Sequence, residues 1–320
     1  MQISVLIPTY NDGPLLSETL APLLRDEATG EVVVVVDGSR DGSLELLLEI
    51  ARNDDRVRPF WIENRGRAGA RQFGLERVRY DVLLLLDADV VAGERLVSGH
   101  ARHHADGRDR LVVGYMPPVV GPRRPGSFVV ERYAHQYELA ARSYEHDPSE
   151  ILRRLWMGNV SVSRRALLAA GGCDAGAGIR YGEDMEMGLR LAAAEVEVEP
   201  VFDRTLLAEH RFEQTVGGFV QTSRIFGEDL VTLERLHPGQ ARFPVWRKRG
   251  VGAAVARFAT RRRGYRALRV VTLLSLTVAG RLHLWPVERR VAALLDRLEV
   301  QRGIQIGLAA GASAPAAGRG

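Results

Sequence analysis

Among 320 residues there is one cysteine, Cys173, and one lysine, Lys248. The lone thiol excludes an internal disulfide framework and a multi-cysteine metal site, and it suits a reducing compartment. Long apolar runs are missing too. The stretch from Val270 to Gly280 holds 11 uncharged residues, against the roughly 20 that a spanning helix needs. The start, Met1-Gln2-Ile3-Ser4-Val5-Leu6-Ile7-Pro8, lacks the basic region and apolar core of a signal peptide and reads as a β-strand. With 26% charged and 46% hydrophobic residues, disordered, collagen-like and coiled-coil classes are excluded. One large domain, or a domain with an appendage, fits this length. Arginine in place of lysine, with abundant alanine and glycine, points to a GC-rich genome rather than to a function.

The formal charge of +4 hides a split. Residues 241–320 hold 16 arginine and lysine residues against Glu288, Asp296 and Glu299, a balance of +13, which leaves −9 for residues 1–240. An acidic body with a basic tail is unlike a nucleic-acid reader, whose positive face belongs to the folded domain. No nucleic-acid partner is expected.

Residues 1–90 alternate strands and helices four times. Ile3–Pro8, the β-branched run Val32–Val36, Val57–Ile62 and Val82–Leu86 read as strands, with helices over Pro14–Arg25, Leu44–Ala51 and Ala68–Val78 between them. This alternation predicts an α/β fold with a mostly parallel sheet flanked by helices, whose ligands bind beyond the carboxyl ends of the strands. After residue 90 the pattern is mixed, and the last 80 residues read as helical. The expected division is an α/β domain over 1–240, a basic amphipathic helical region over 241–308 and a disordered small-residue tail over 309–320.

The sharpest chemical signal is Leu86-Asp87-Ala88-Asp89. Two carboxylates two apart, just past a buried strand, are costly unless something positive sits between them. An oxygen-preferring divalent cation, Mn2+ or Mg2+, would satisfy both and could also take diphosphate oxygens. Around it stand, in order, Ser4-Val5-Leu6-Ile7-Pro8-Thr9-Tyr10-Asn11, Val35-Val36-Asp37-Gly38-Ser39-Arg40-Asp41-Gly42-Ser43, Asn64-Arg65-Gly66 with Ala70-Arg71, Gly158-Asn159, Gly171-Gly172 and Gly182-Glu183-Asp184. Over residues 3–235 this ordered set resembles the family 2 inverting glycosyltransferases of the GT-A fold.

The resemblance implies a metal-dependent transfer of a sugar from a nucleoside diphosphate sugar to an acceptor hydroxyl. Pro8, Thr9, Tyr10, Asp37 and Arg71 then hold the nucleotide. Asp37 can accept from a uracil ring N–H, which favours a UDP-sugar, although Val36 stands where many members carry a second acid. Asp37 with Asp41 also reads as a turn and helix cap, and Arg71 as a surface helix arginine. Asp87 contacts ribose and metal-bound water, Asp89 binds the metal, and His210, 26 positions after Asp184, completes the metal shell or is structural. Asp184 corresponds to the catalytic base, which takes the hydroxyl proton; Glu183 lies beside it, and Glu186 pairs with Arg190 at helical spacing. Trp156 is an acceptor platform or a core residue, with Asn159 close in sequence. His100, His103, His104, His135 and His146 show no ligand spacing to one another.

Gln221-Thr222-Ser223-Arg224-Ile225 half-resembles the Gln-x-x-Arg-Trp element of polymerising members, but Ile225 replaces the tryptophan, which points to one or few sugars per acceptor. In the tail, Arg247-Lys248-Arg249, Arg261-Arg262-Arg263 and Arg289-Arg290 flank Trp246, Phe258, Leu282, Leu284 and Trp285. Such a pattern suits an interfacial helix on an anionic leaflet, a cover for the acidic domain or a dimer contact. The membrane reading places the enzyme in the cytoplasm, peripheral on the inner face, and makes a lipid-linked acceptor attractive beside a glycan one. A sugar-1-phosphate nucleotidyltransferase would share the sheet and the acidic site. It expects a glycine-rich basic loop after the first strand, and Pro8–Gly13 contains no arginine or lysine. A catalytically dead scaffold is the non-enzymatic alternative, and the retained Asp87, Asp89 and Asp184 speak against it.

Overall fold

The computed structural model describes residues 1–174, 176, 178–240 and 262–312. It forms two compact units. The first comprises 1–119, 136–177 and 183–212; the second comprises 120–135, 178–182 and 213–320.

The first unit is an α/β structure around one eight-stranded sheet of order β3-β2-β1-β4-β7-β6-β8-β5. Its strands are β1 (Ile3–Thr9), β2 (Thr29–Asp37), β3 (Val57–Ile62), β4 (Val82–Leu86), β5 (Val90–Ala92), β6 (Arg110–Tyr115), β7 (Asn159–Ser163) and β8 (Glu199–His210). β3, β2, β1 and β4 are mutually parallel, as the alternating pattern requires. β7 then pairs antiparallel to both β4 and β6, so the second half of the sheet is mixed. Val32 to Val36 and Leu83 to Leu86 are buried on both faces. Each such side chain contributes on the order of 1.5–3 kcal/mol by leaving water.

Helices α1 (Gly13–Arg25), α2 (Ser43–Asn53), α3 (Gly66–Leu75), α4 (Leu96–His103), α6 (Glu150–Arg153), α7 (Arg164–Ala169) and α8 (Glu183–Ala193) belong to this unit, and α5 (Phe128–His146) runs through both. The strand β5 escaped the sequence pattern because three residues are too few to show a period. β8 is longer than the expected Val196–Val201, since it continues through the Leu206-Leu207-Ala208-Glu209 run.

The second unit contains α9 (Val216–Leu236), α10 (Arg262–Arg281) and α11 (Trp285–Ala312). Residues 213–240, with α9, thus group with the second unit, where α9 packs along α11. Glycines permit that close approach. A Cβ on Gly303 would lie 1.9 Å from the Arg224 carbonyl oxygen, and one on Gly227 would lie 2.1 Å from that of Val300. α11 continues through Ala312, past the residue 309 at which the tail was expected to begin. Residues 313–320 lie outside the described residues, as do Trp246, Arg247, Lys248, Arg249, Phe258 and Arg261.

Buried ion pairs tie these helices together. Glu299 is fully buried and accepts from Arg224 Nη2 at 2.6 Å, Arg269 Nε at 2.9 Å and the Tyr265 hydroxyl at 2.8 Å. Arg224, the arginine of the half-motif, is thus committed to a helix contact. Gly303→Ala is expected to lower stability by about 2–3 kcal/mol through overpacking against backbone, read as a fall in the denaturant midpoint. An unchanged midpoint would show that the helices can separate freely.

Candidate active site

Parallel register brings the carboxyl ends of the strands to one edge. Thr9 aligns with Val36 and Asp37 with Ile62, while Asp87 follows Leu86 directly. Thr9 is buried and Tyr10 exposed. The Tyr10 N–H donates to Asp12 Oδ2 at 3.2 Å, so Asp12 turns back across the end of β1. Asp37 Oδ1 accepts from the Arg65 N–H at 2.7 Å, holding the turn that starts α3. Burial raises the Asp37 carboxyl above its usual value, against those backbone donors. Asp41 stands one residue before Gly42, the N-cap of α2, and accepts from the Ser43 N–H and hydroxyl without capping the helix itself.

Arg71 is the centre of the site. α3 carries it inward until 2% of the side chain remains exposed. Its Nη2 donates to Asp87 Oδ1 at 2.8 Å and its Nη1 to Asp184 Oδ1 at 3.2 Å, with Glu183 Oε1 3.7 Å away. The surface alternative for Arg71 is thereby excluded. Burial opposes its charge, but Asp87, Asp184 and Glu183 outweigh that and hold the guanidinium above its ordinary value. Burial likewise pushes Asp87 upward, and Arg71 and Arg67 more than offset it, so the carboxyl lies below the usual range.

Asp184 stands in the first turn of α8. Its Oδ2 accepts from the Met157 N–H at 3.0 Å, and the side chain is 26% exposed. An ionised carboxylate offers about four lone-pair directions, so these two bonds leave room for a further proton donor. Glu183 is buried at 2.8 Å from Arg67 Nε. Burial and the adjacent Asp184 push it up to about 7. Glu186 pairs with Arg190 at 2.8 Å, the helical pair expected.

Asp89 and His210 are joined by strand pairing rather than by sequence. β5 runs antiparallel to β8 with Val90 opposite His210, and His210 Nε2 lies 3.2 Å from Asp89 Oδ2. Gly158, at φ +111°, packs its backbone on this edge: the Asp87 N–H donates to its carbonyl at 3.3 Å. A Cβ there would come within 2.8 Å of Asp87 Oδ2. Trp156 is half-buried, with its ring 5.3 Å from that of Tyr137. Asn159 is corrected as an acceptor candidate: it is 1% exposed, and its amide is already used internally.

Residues 4–161 match the model of Glycosyl transferase family 2. They belong to glycosyl transferase family 2. Asp184 and His210 lie beyond the matched residues of this family 2 domain. An uncharacterized glycosyltransferase of Bacillus subtilis, YfnE, is 31% identical over 140 residues, which cover 43% of this chain and 34% of that protein. Poly-beta-1,6-N-acetyl-D-glucosamine synthase of Staphylococcus aureus is 32% identical over 93 residues, covering 29% of this chain and 23% of the synthase. The match thus spans about a third of the first relative and about a quarter of the second. Among solved structures, a mannosyltransferase of Pyrobaculum calidifontis in complex with GDP-Man and Mn2+ superposes with a TM-score of 0.57 at 18% identity, covering 94% of this chain and 86% of that one. The fold is the GT-A fold.

Among the described residues no three carboxylate, imidazole or thiol groups converge closely enough to enclose a metal ion. Asp89 and His210 are neighbouring oxygen and nitrogen donors, and Asp87 is committed to Arg71. A few donors on one side suit an ion that takes its remaining ligands from water and diphosphate oxygens, as Mg2+ and Mn2+ do. They do not suit an enclosed structural metal.

Behind the family 2 edge lies a network that the histidine spacing did not reveal. The Asn159 amide donates to the Leu206 carbonyl at 3.0 Å, so its oxygen must accept from His100 Nε2 at 2.9 Å. His100 Nδ1 then accepts from the Ser161 hydroxyl at 2.9 Å, and Ser161 accepts from His104 Nε2 at 2.8 Å. His100 and His104 stand four apart on one face of α4 and its end. That i,i+4 spacing was the available signal. Burial lowers His100 to about 3 and His104 to about 4 from 6.5. Both are neutral when folded and protonate readily once unfolded. Stability is therefore full above about 6.5 and is lost as pH falls toward those values, by up to about 1.4 kcal/mol per pH unit for each ring. His104→Gln, which keeps a donor for Ser161, is expected to flatten the fall in denaturant midpoint between pH 7 and pH 5. An identical slope would exclude titration of His104 as a cause.

Proposed function

We propose that this family 2 domain is a metal-dependent inverting glycosyltransferase, moving a sugar from a nucleoside diphosphate sugar to an acceptor hydroxyl. One observation carries the reading. A single buried guanidinium joins Asp87, at the end of β4, to Asp184, 113 residues from Arg71 along the chain, in the first turn of α8. The guanidinium suited to face a diphosphate and the carboxylate suited to take a proton are thus parts of one electrostatic unit.

Asp184 accepts the proton as the acceptor oxygen bonds to the anomeric carbon. The bond from that carbon to the diphosphate oxygen breaks on the opposite face, its electron pair stays with the nucleoside diphosphate, and the configuration inverts. Arg71 supplies fixed positive charge where the leaving group gains negative charge. A divalent cation, Mn2+ or Mg2+, held by Asp89 and His210 with Asp87 beside them, would neutralise the same diphosphate. A divalent cation and a nucleotide-sugar donor are supported by the GDP-Man and Mn2+ bound in the Pyrobaculum mannosyltransferase. Pro8, Thr9, Tyr10 and Asp37 surround the base and ribose, with a UDP-sugar the favoured donor. Trp156 and Glu183 remain the acceptor-side residues.

The engagement of Arg224 by Glu299 supports addition of one or few sugars rather than polymerisation. The acceptor is a glycan or a lipid-linked hydroxyl. Asp184→Asn removes the base while keeping the bond from Met157, and is expected to cut transfer by about 10²–10⁴-fold. Asp89→Ala is expected to raise the Mn2+ concentration needed for half-maximal transfer. Full activity of both variants at limiting Mn2+, over a panel of nucleoside diphosphate sugars, would overturn the mechanism.

A further inference from the structure

The helices α10 and α11 bury one face and leave another exposed. On α10, Tyr265, Thr272, Leu276 and Ala279 are buried. On its other side Val270, Val271, Leu274 and Val278 are each more than half exposed, as is Leu282 just past its end. Their spacing of one, three and four residues makes a continuous apolar stripe along the helix. Leu284 and Val287, also exposed, extend it into the start of α11. Leaving so many aliphatic side chains in water on one helix face marks an interaction surface, since apolar exposure is otherwise scattered.

Charge decides the kind of partner. Arg263 and Arg266 stand exposed at one end of the stripe, and Arg281, Arg289 and Arg290 at the other. The only acids in the two helices are Glu288, Asp296 and Glu299. Glu288 and Glu299 are buried, and Asp296 is turned inward to Arg132 and Ser223. The exposed face therefore presents aliphatic groups and arginines with no carboxylate from either helix. Two copies meeting through this face would oppose arginine to arginine, so self-association lacks charge complementarity. Among the described residues no helix is long and apolar enough to cross a membrane. A helix of 20 residues, about 30 Å long, with arginines able to extend their charged ends past buried stems, matches a membrane interface instead.

We infer that the outward face of α10 and the start of α11 is a docking surface for an anionic lipid bilayer, with α10 lying in the plane of the interface and its aliphatic stripe among the acyl chains. The inference rests on the second unit alone and holds whatever sugar or acceptor the first unit uses.

The test is flotation of the full chain with vesicles of phosphatidylcholine alone or with about one third phosphatidylglycerol, a content that gives a strong surface charge. The protein is expected to float with the anionic vesicles, to stay down with neutral ones, and to be released by high salt. Val271→Asp with Leu274→Asp is expected to weaken binding by about tenfold or more. Both positions are exposed, so the thermal midpoint should not change. Arg263→Gln with Arg266→Gln should weaken binding to anionic vesicles while sparing the fold. Undiminished flotation of the double aspartate variant would overturn the proposal. So would a dimer in sedimentation that this variant abolishes while the parent ignores vesicles, which would make the stripe a contact between copies. Nucleotide-sugar binding, measured in parallel, separates this outcome from failure of the transferase reading.

Discussion

A charged guanidinium with 2% of its surface in water can exist only if carboxylates surround it, and the catalytic edge is organised by that requirement. Removing one partner from such a cluster typically costs about 3–5 kcal/mol, because the remaining charge is left buried and unpaired. Arg71 therefore forces three segments to one place: the end of β4, the first turn of α8 and the inner face of α3. The same contact keeps Asp87 ionised against its burial. In the same cluster burial and the neighbouring Asp184 outweigh Arg67 and Arg71 at Glu183, which rises to about 7. Structure and chemistry share this one cation.

The scaffold around it divides its polar groups by role. Behind the edge, Asn159, Ser161, His100 and His104 form a neutral chain in which every donor is assigned by the one before it. It fixes the start of β7, and with it the Gly158 carbonyl that receives the Asp87 N–H. At the edge itself Asp87, Asp89 and Asp184 are partly exposed and able to take new partners. Cys173, by contrast, is buried and pushed up to about 12, an inert thiol. In the helical unit the buried Glu299 plays a part like that of Arg71, one charge gathering Arg224, Tyr265 and Arg269.

Much of the first unit was readable along the chain. Four strand and helix alternations are local patterns: the β-branched run of β2 and the leucines of β4 announce burial on both faces before any fold is known. Asp87 and Asp89, Asp184 and Arg71 could be named because short motifs keep their order in sequence. The limits were equally physical. β5 is three residues long and has no period. Val90 lies opposite His210 only through antiparallel pairing of strands far apart in the chain, so the contact of Asp89 with His210 left no local trace. The histidine network depends on His100 and His104 meeting the side chains of Asn159 and Ser161, which lie more than fifty residues away along the chain. The packing of α9 against α11 was not legible either, because α9 has the same amphipathic pattern whether it covers a sheet or another helix, and the glycines that permit the contact act only when two backbones meet.

Composition and order thus determined that this chain has an acidic α/β domain with a carboxylate pair after its fourth strand and a basic helical end. Those features follow from nearest neighbours: hydropathy period, turn chemistry and net charge. Tertiary contact determined which charges neutralise one another, because ion pairing depends on distance in space. It drew Arg71 inside, took Asn159 out of reach, committed Arg224 to Glu299 and turned the aliphatic stripe of α10 outward. Sequence supplies charges and apolar groups, and burial decides what each is able to do.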